Sequence, residues 1–261
     1  MDQDFLWRNL SGLPYFRALL RAVEAKFYQP LFLPSPTLDL GCGDGDFARL
    51  TFSRKIEVGL DPWAKPLWEA KNKCVYHLLV QSDGGKMPFP KGYFGSALSN
   101  SVLEHIPQVE FVMAETARVL KPGAPFIFCV PNHRFDASLS AGRFFDRLGF
   151  RTLGNAYRSF FEKISRHVNL DSPETWQKRL EDTGFALESY WNYFSPSALS
   201  VLEWGHYFGL PSLIAKRLSG RWILAPAKWN LYLTEKIVRK YFEEDVDDKE
   251  GVYSFFVARR R

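Results

Sequence analysis

The chain has little cysteine. Cys42, Cys74 and Cys129 are an odd number, spread over 88 positions of a 261-residue sequence. Their spacing fits no zinc site, and they cannot staple a small secreted domain. They read as buried free thiols of a reducing compartment. Long hydrophobic runs are missing too. No stretch approaches the roughly 20 apolar residues of a membrane span. The acidic opening Met1-Asp2-Gln3-Asp4 leads into no secretory-type apolar segment, so a cytoplasmic protein is expected. Charge imbalance is small: 34 Lys and Arg against 29 Asp and Glu give +5, a bias too weak to imply nucleic acid by itself. There is no internal repeat and no low-complexity tract. The excess lies in aromatic residues, 16% of the chain with 23 Phe and 8 Trp. One large α/β domain with insertions suits this length better than two independent units.

Short apolar runs at 37–41, 56–61, 75–80, 93–99 and 125–130 read as strands, and 46–53, 64–73 and 107–120 between them as helices. That alternation predicts a Rossmann-like, doubly wound, mostly parallel sheet with helices on both faces. Val109, Val112, Met113, Thr116, Ala117 and Leu120 give the third helix its apolar face, and Lys121-Pro122-Gly123 stops it. Residues 1–34 form an N-terminal segment whose Leu19, Leu20, Val23 and Phe27 predict an amphipathic helix over 5–28, with Arg17, Arg21 and Lys26 between them. Residues 35–132 carry this alternation and are read as the core of the domain. Inserts at 133–171 and 196–250 interrupt the alternation. Ser172-Pro173 starts a further helix, 185–194 reads as a strand, and 251–261 closes the core with another. The acidic run from Glu243 to Asp248 reads as a solvated loop.

The first predicted strand ends in Leu38-Asp39-Leu40-Gly41-Cys42-Gly43-Asp44-Gly45-Asp46-Phe47. Three glycines at alternate positions let backbone approach a small ligand before a helix begins. A dinucleotide pyrophosphate wants G-x-G-x-x-G, but Asp46 occupies the third glycine's place. Asp39 and Asp44 add negative charge, and like charges at such distances repel by roughly a few kcal/mol. A cationic, phosphate-free nucleoside suits the turn better. Asp61 lies 20 residues beyond Gly41, at the tip of the second strand, where an acid accepts from ribose hydroxyls.

These residues carry a resemblance. The stretches Leu38–Phe47, Gly59–Asp61, Asp83–Phe89, Asn100–His105 and Arg118–Gly123 look like the successive motifs of the class I S-adenosylmethionine-dependent methyltransferases, in their quinone and small-molecule branch. The resemblance covers about 37–132. It implies seven strands with the last antiparallel, and S-adenosyl-L-methionine as cofactor. Gly41, Gly43 and Gly45 would face the methionine and ribose portions, and Asp39 the amino group. Asp61 would take the ribose, with Pro62 and Trp63 beside the adenine. Asp83 and the Gly84 N–H would contact the adenine edge, and the Asn100 carbonyl the ammonium. Gly95 departs from the aspartate usual there, and Ala124 from the usual glycine.

Methyl transfer is an in-line displacement that needs alignment and exclusion of water, with a base only for a protonated nucleophile. His105 and His133, past the fourth and fifth strands, are the candidates for base or acceptor contact. No metal site is expected. Asn100 is followed by Ser101-Val102-Leu103 instead of the proline-proline-aromatic run of nucleic-acid amino methyltransferases, so no nucleic acid is expected. The inserts are expected to cap the substrate site with an aromatic lid of Phe144, Phe145, Tyr157, Phe160, Phe161, Trp204, Tyr207 and Phe208 over a small-molecule, lipid- or quinone-like acceptor. The basic aromatic segment 133–171 also suits contact with a membrane surface. The rival readings are a cofactor-binding protein of the same fold without catalysis, and an NAD-dependent oxidoreductase.

Overall fold

The structure is a computed structural model that describes residues 4–246 and 249–261. The last two aspartates of the predicted acidic loop lie outside the described residues. Five parallel strands form first: β1 (Thr37–Leu40), β2 (Ile56–Asp61), β3 (Tyr76–Gln81), β4 (Ser96–Asn100) and β5 (Pro125–Pro131). With β6 (Phe185–Tyr193) and β7 (Tyr253–Arg260) they make one sheet in the order β3-β2-β1-β4-β5-β7-β6. β7 runs antiparallel to both β5 and β6. The chain reverses direction across the sheet between β1 and β4, and a cleft opens there at the carboxyl edge.

Two apolar layers cover the sheet. On one face α5 (Val109–Val119) and α9 (Pro173–Asp182) pack Val112, Met113, Trp176 and Leu180 against Leu38, Phe126 and Phe256. The periodic face predicted for α5 is the buried one, while Phe111 points to solvent. The Ser172 hydroxyl caps α9 by accepting from the Thr175 N–H, a contact worth about 1 kcal/mol. The other face carries α1 (Phe5–Leu10), α2 (Tyr15–Tyr28), α3 (Asp46–Thr51) and α4 (Ala64–Lys73). Here the expected single helix over 5–28 is two. Gly12-Leu13-Pro14 breaks it, because Pro14 supplies no N–H and precedes the first turn of α2.

The inserts are helical throughout most of their length: α6 (Phe135–Ser138), α7 (Ser140–Arg147) and α8 (Arg151–Ser165) in the first, α10 (Pro196–Phe208), α11 (Leu210–Ser219) and α12 (Lys228–Phe242) in the second. Two smaller expectations change. Cys42 and Cys129 are buried but Cys74 is exposed, at the left-handed residue that ends α4. The fourth strand starts at Ser96, because Phe94 pairs singly with Leu120. Gly95 now has a reason. A Cβ there would stand 2.7 Å from the Pro34 and Ser35 carbonyl oxygens, so no aspartate fits beneath this linker.

Candidate active site

The glycine turn between β1 and α3 keeps its shape by sterics and by one carboxylate. Gly41 has φ +75°, and a Cβ on it would stand 2.4 Å from a methyl of Val102. Gly43 has φ +54° and open space around it. The Gly43 N–H donates to Asp61 Oδ2 at 3.0 Å, and the Trp63 N–H donates to Asp61 Oδ1 at 2.9 Å. Asp61 therefore ties the tip of β2 to the turn after β1. The Ser82 N–H donates to the Asp61 carbonyl, and the Gln81 amide to the Pro62 carbonyl, which brings the loop after β3 alongside. On that loop Asp83 is exposed and its Oδ1 accepts from the Gly85 N–H at 2.8 Å. Trp63 is 71% exposed beside it.

A cavity of about 410 Å³ lies over the turn, lined by Gly41, Gly43, Asp44, Asp46 and Asn100 from the core. The aspartates are not equivalent there. Asp46 pairs with Arg49 and Lys73, both at 3.0 Å, and Lys73 also reaches Asp44 at 3.3 Å. Asp39 is buried under the turn, where the Tyr76 hydroxyl donates to its Oδ2 at 2.6 Å. Burial pushes the Asp39 carboxyl up to about 7. The Tyr76 hydrogen bond opposes this and the charge of Asp61 adds to it. Lys73 and Arg49 thus offset much of the negative charge expected from the turn's three aspartates, while Asp61 is held by two backbone N–H groups.

The remaining walls come from outside the predicted core. Arg17 and Arg21 of α2 line the cavity, as do Lys216 and Trp222 of the second insert. Lys216 is held 3.2 Å from Glu69 of α4, and both Arg17 and Lys216 lie over the Trp222 ring. Beneath them sits Glu24, 0% exposed, which sequence reasoning missed. It accepts from Arg21 at 2.6 Å, the Asn100 amide at 2.7 Å, and the hydroxyls of Ser101 and Tyr193 at 3.1 Å. Glu24 lies seven residues beyond Arg17 and three beyond Arg21, on the same side of α2, so helical periodicity carries no signal of its burial.

A second cavity of about 210 Å³ shares Arg17, Arg21 and Ser101 with the first. Phe16, Leu20, Phe135, Phe161, Ile164 and Leu202 make its walls apolar, and Glu104, His105, His167 and His206 make one end polar. His105 follows β4 in a short 3-10 turn, Leu103–His105, and its Nδ1 lies 2.9 Å from the Arg166 carbonyl oxygen. Burial lowers the pKa of His105, and holds His167 down at about 3, with His105 adding to the effect. Burial pushes Glu104 up to about 8.

His133 is not part of this site. The chain turns at Asn132, whose buried amide donates to Asn192, Ser254 and Gly251, and His133 is left exposed in a separate shallow groove with Ser195 and Glu250. The aromatic lid also differs from expectation. Phe161 lines the second cavity, but Phe144, Phe160, Trp204, Tyr207 and Phe208 are exposed on the outside of the inserts. Tyr157 donates to Glu203 and packs inside the insert.

A sheet in this order, with a glycine turn after β1 and acids at or just past the ends of the next two strands, has the Rossmann-like methyltransferase fold. Residues 38–128 match the family model described as a methyltransferase domain. The chain is 29% identical to a demethylmenaquinone methyltransferase of Tropheryma whipplei over 99 residues, 37% of this chain and 41% of the relative. It is 36% identical to the sterol 4-C-methyltransferase strm-1 of Caenorhabditis elegans over 102 residues, 34% and 29% of the two chains. These matches span less than half the length of either curated relative. Among solved structures, a SAM-dependent methyltransferase from Thermotoga maritima superposes with a TM-score of 0.58 at 17% identity, covering 95% of this chain and 91% of the other. Geranyl diphosphate C-methyltransferase from Streptomyces coelicolor, solved with S-adenosyl-L-homocysteine, superposes with 0.54 at 15% identity over 95% and 84%. The shared fold therefore extends well beyond the region of sequence similarity.

Proposed function

We propose that this chain transfers the methyl group of S-adenosyl-L-methionine to an O, C or N atom of an amphipathic small molecule. The observation that carries this is the pair of cavities with a common wall at Arg17, Arg21 and Ser101. The cavity over the glycine turn takes the cofactor. Gly41 and Gly43 line its approach, Gly45 turns the chain into α3 behind them, and Asn100 with Asp39 serves its ammonium. Asp61 holds the ribose, and Pro62, Trp63, Asp83 and Gly84 form the open adenine side. The second cavity takes the acceptor, apolar body against the phenylalanines and reacting head toward His105. Relatives named for a demethylmenaquinone and a sterol support an acceptor with a large apolar part.

Asp39 gives this assignment a pH signature. Its folded pKa of about 7 exceeds the ordinary value near 3.9, so its neutral form favours the fold. That contribution is full below about pH 4 and is lost as pH rises through about 7. A cofactor ammonium nearby favours the carboxylate. Cofactor binding should therefore release a proton near neutrality, and affinity should fall as pH drops below about 7, by at most about tenfold per unit. Calorimetry with S-adenosylhomocysteine in buffers of different ionisation heat measures this. Asp39→Asn should bind more weakly and without the proton release; an identical proton release in the variant would remove Asp39 from the role.

The acceptor is taken from a lipid surface. No helix among the described residues is long and apolar enough to cross a membrane. Residues 204–242 carry seven Lys and Arg against the single acid Glu235. Phe208, Leu213, Leu218, Trp229, Leu233 and Ile237 are exposed on the same helices. Basic charge interleaved with exposed Trp, Phe and Leu is what an anionic interface binds. The same insert supplies Lys216 and Trp222 to the cofactor cavity, so docking would occur beside the site. The protein should float with anionic vesicles at low salt, dissociate at high salt, and form S-adenosylhomocysteine faster from a long-chain hydroquinone in those vesicles than from its short-chain analogue. Lys228→Glu with Trp229→Glu should stay in solution. Failure to float at low salt rules out the lipid surface; no S-adenosylhomocysteine from either hydroquinone rules out that acceptor class.

A further inference from the structure

Three side chains of the metal-ligating kind converge at the polar end of the second cavity. One carboxylate oxygen of Glu104, one ring nitrogen of His105 and one of His167 all lie within 4.8 Å of one another. Glu104 Oε1 stands 3.7 Å from His105 Nε2. The cluster has unused capacity. Glu104 is 1% exposed, yet among the described residues its Oε2 has no hydrogen-bond partner, and neither does the buried Nδ1 of His167. Buried polar atoms are almost always satisfied, and an orphan on a carboxylate is among the most costly.

The cluster is also built to hold its shape. The Arg166 carbonyl can only accept, so His105 Nδ1 carries the proton and donates to it. That leaves His105 Nε2 as a lone pair turned toward Glu104, the outer-sphere arrangement that orients a histidine ligand. The Glu104 carbonyl accepts from the Val168 and Asn169 N–H groups at 2.7 and 3.0 Å. The Asn169 amide donates back to the Leu103 and Ile106 carbonyls. The turn that carries Glu104 and His105 and the segment that carries His167 are thus clamped together. Arg21 also lines this cavity, and its guanidinium is engaged by Glu24 at 2.6 Å.

We propose that Glu104, His105 and His167 bind one divalent transition-metal ion, with open positions facing the acceptor cavity. Two imidazoles and one carboxylate favour zinc, manganese or iron(II) over magnesium or calcium, which prefer all-oxygen sites. The ion would hold an oxygen of the acceptor beside the cofactor. That role rests on the proposed methyl transfer; the binding of the ion does not.

The test uses untagged protein freed of metal by chelation and titrated with Co²⁺, read by calorimetry and by the visible ligand-field bands of the bound ion. One equivalent should bind, with bands of a nitrogen-containing site. His167→Ala and Glu104→Gln should each weaken Co²⁺ binding by about 100-fold or more, since even outer-sphere changes cost 10–100-fold. His133→Ala, a histidine in the separate groove, should leave it unchanged. S-adenosylhomocysteine binding, measured on the same samples, shows that the variants are folded. Wild-type protein that binds S-adenosylhomocysteine but no Co²⁺ overturns the metal site and leaves the methyltransferase reading intact. Co²⁺ binding that survives both ligand variants also overturns it. Co²⁺ bound as expected without S-adenosylhomocysteine binding supports the metal site and counts against the cofactor assignment instead.

Discussion

Glu24→Ala is expected to cost about 3–5 kcal/mol of stability, the range for removing one partner of a buried ion pair. Glu24 is fully buried and serves four donors from three parts of the chain: Arg21 on its own helix, Asn100 and Ser101 at the tip of β4, and Tyr193 at the end of β6. Alanine would leave the Asn100 amide and the Tyr193 hydroxyl, both buried, without this acceptor, and Arg21 without its counter-charge. At this chain length the loss corresponds to a fall in Tm of roughly 10 °C. Glu24→Gln keeps an oxygen for two of the donors but loses the charge, and should fall between wild type and alanine. The two variants are compared by thermal and urea unfolding. A Glu24→Ala protein within 1 kcal/mol of wild type would show that the hub is not a stabilising element. Cofactor affinity should fall with it, because Arg21, Asn100 and Ser101 all line the cavity over the glycine turn.

Asp61→Ala should abolish most cofactor affinity while leaving the protein folded. Its carboxylate accepts two backbone N–H groups, from Gly43 and Trp63, and each carboxylate oxygen keeps a further acceptor position for a ribose hydroxyl. Hydrogen bonds to a charged group are worth about 1.5–3 kcal/mol each. Losing two ribose contacts therefore weakens binding by roughly 10²–10⁴-fold, before any loosening of the turn. Asp61→Asn can still accept at one oxygen and should retain part of the affinity. Titration with S-adenosylhomocysteine at pH 7.5 reads both, and NAD serves as the second ligand. An Asp61→Ala protein that binds S-adenosylhomocysteine within threefold of wild type would remove Asp61 from the cofactor site. Binding of NAD in its place would replace the cofactor.

Several readings were legible because they depend on neighbours in sequence. The alternating strands and helices of 37–131 follow from local periodicity and turn chemistry, and each predicted strand there is present within three residues of its bounds. The same holds for the Ser172 cap and the end of α5. Arg17 and Arg21 show the limit. On a helical wheel they belong to the polar side of α2, which periodicity assigns to solvent, yet α2 lies across the cleft and that side faces both cavities. His105 and His133 show it again. Both follow a strand tip, but a 3-10 turn aims the first inward, while the buried Asn132 directs the chain past the second. What separates them is long-range, since the Asn132 amide is anchored by residues 60 to 122 positions away.

By itself, the sequence determined the parallel core, the glycine turn and the acids at the strand tips, because a strand's period, a left-handed glycine and a capping carboxylate are local properties of the chain. Tertiary structure alone decided which charges face the ligand. Lys73 comes from the far end of α4 to neutralise Asp46, and Glu24 meets partners 76, 77 and 169 positions away. Tertiary structure also turned most of the expected aromatic lid outward, since the inserts bury only the side of each helix that meets the core. Long-range packing, which no local pattern records, brings Glu104 and His105 against His167 at the polar end of the second cavity.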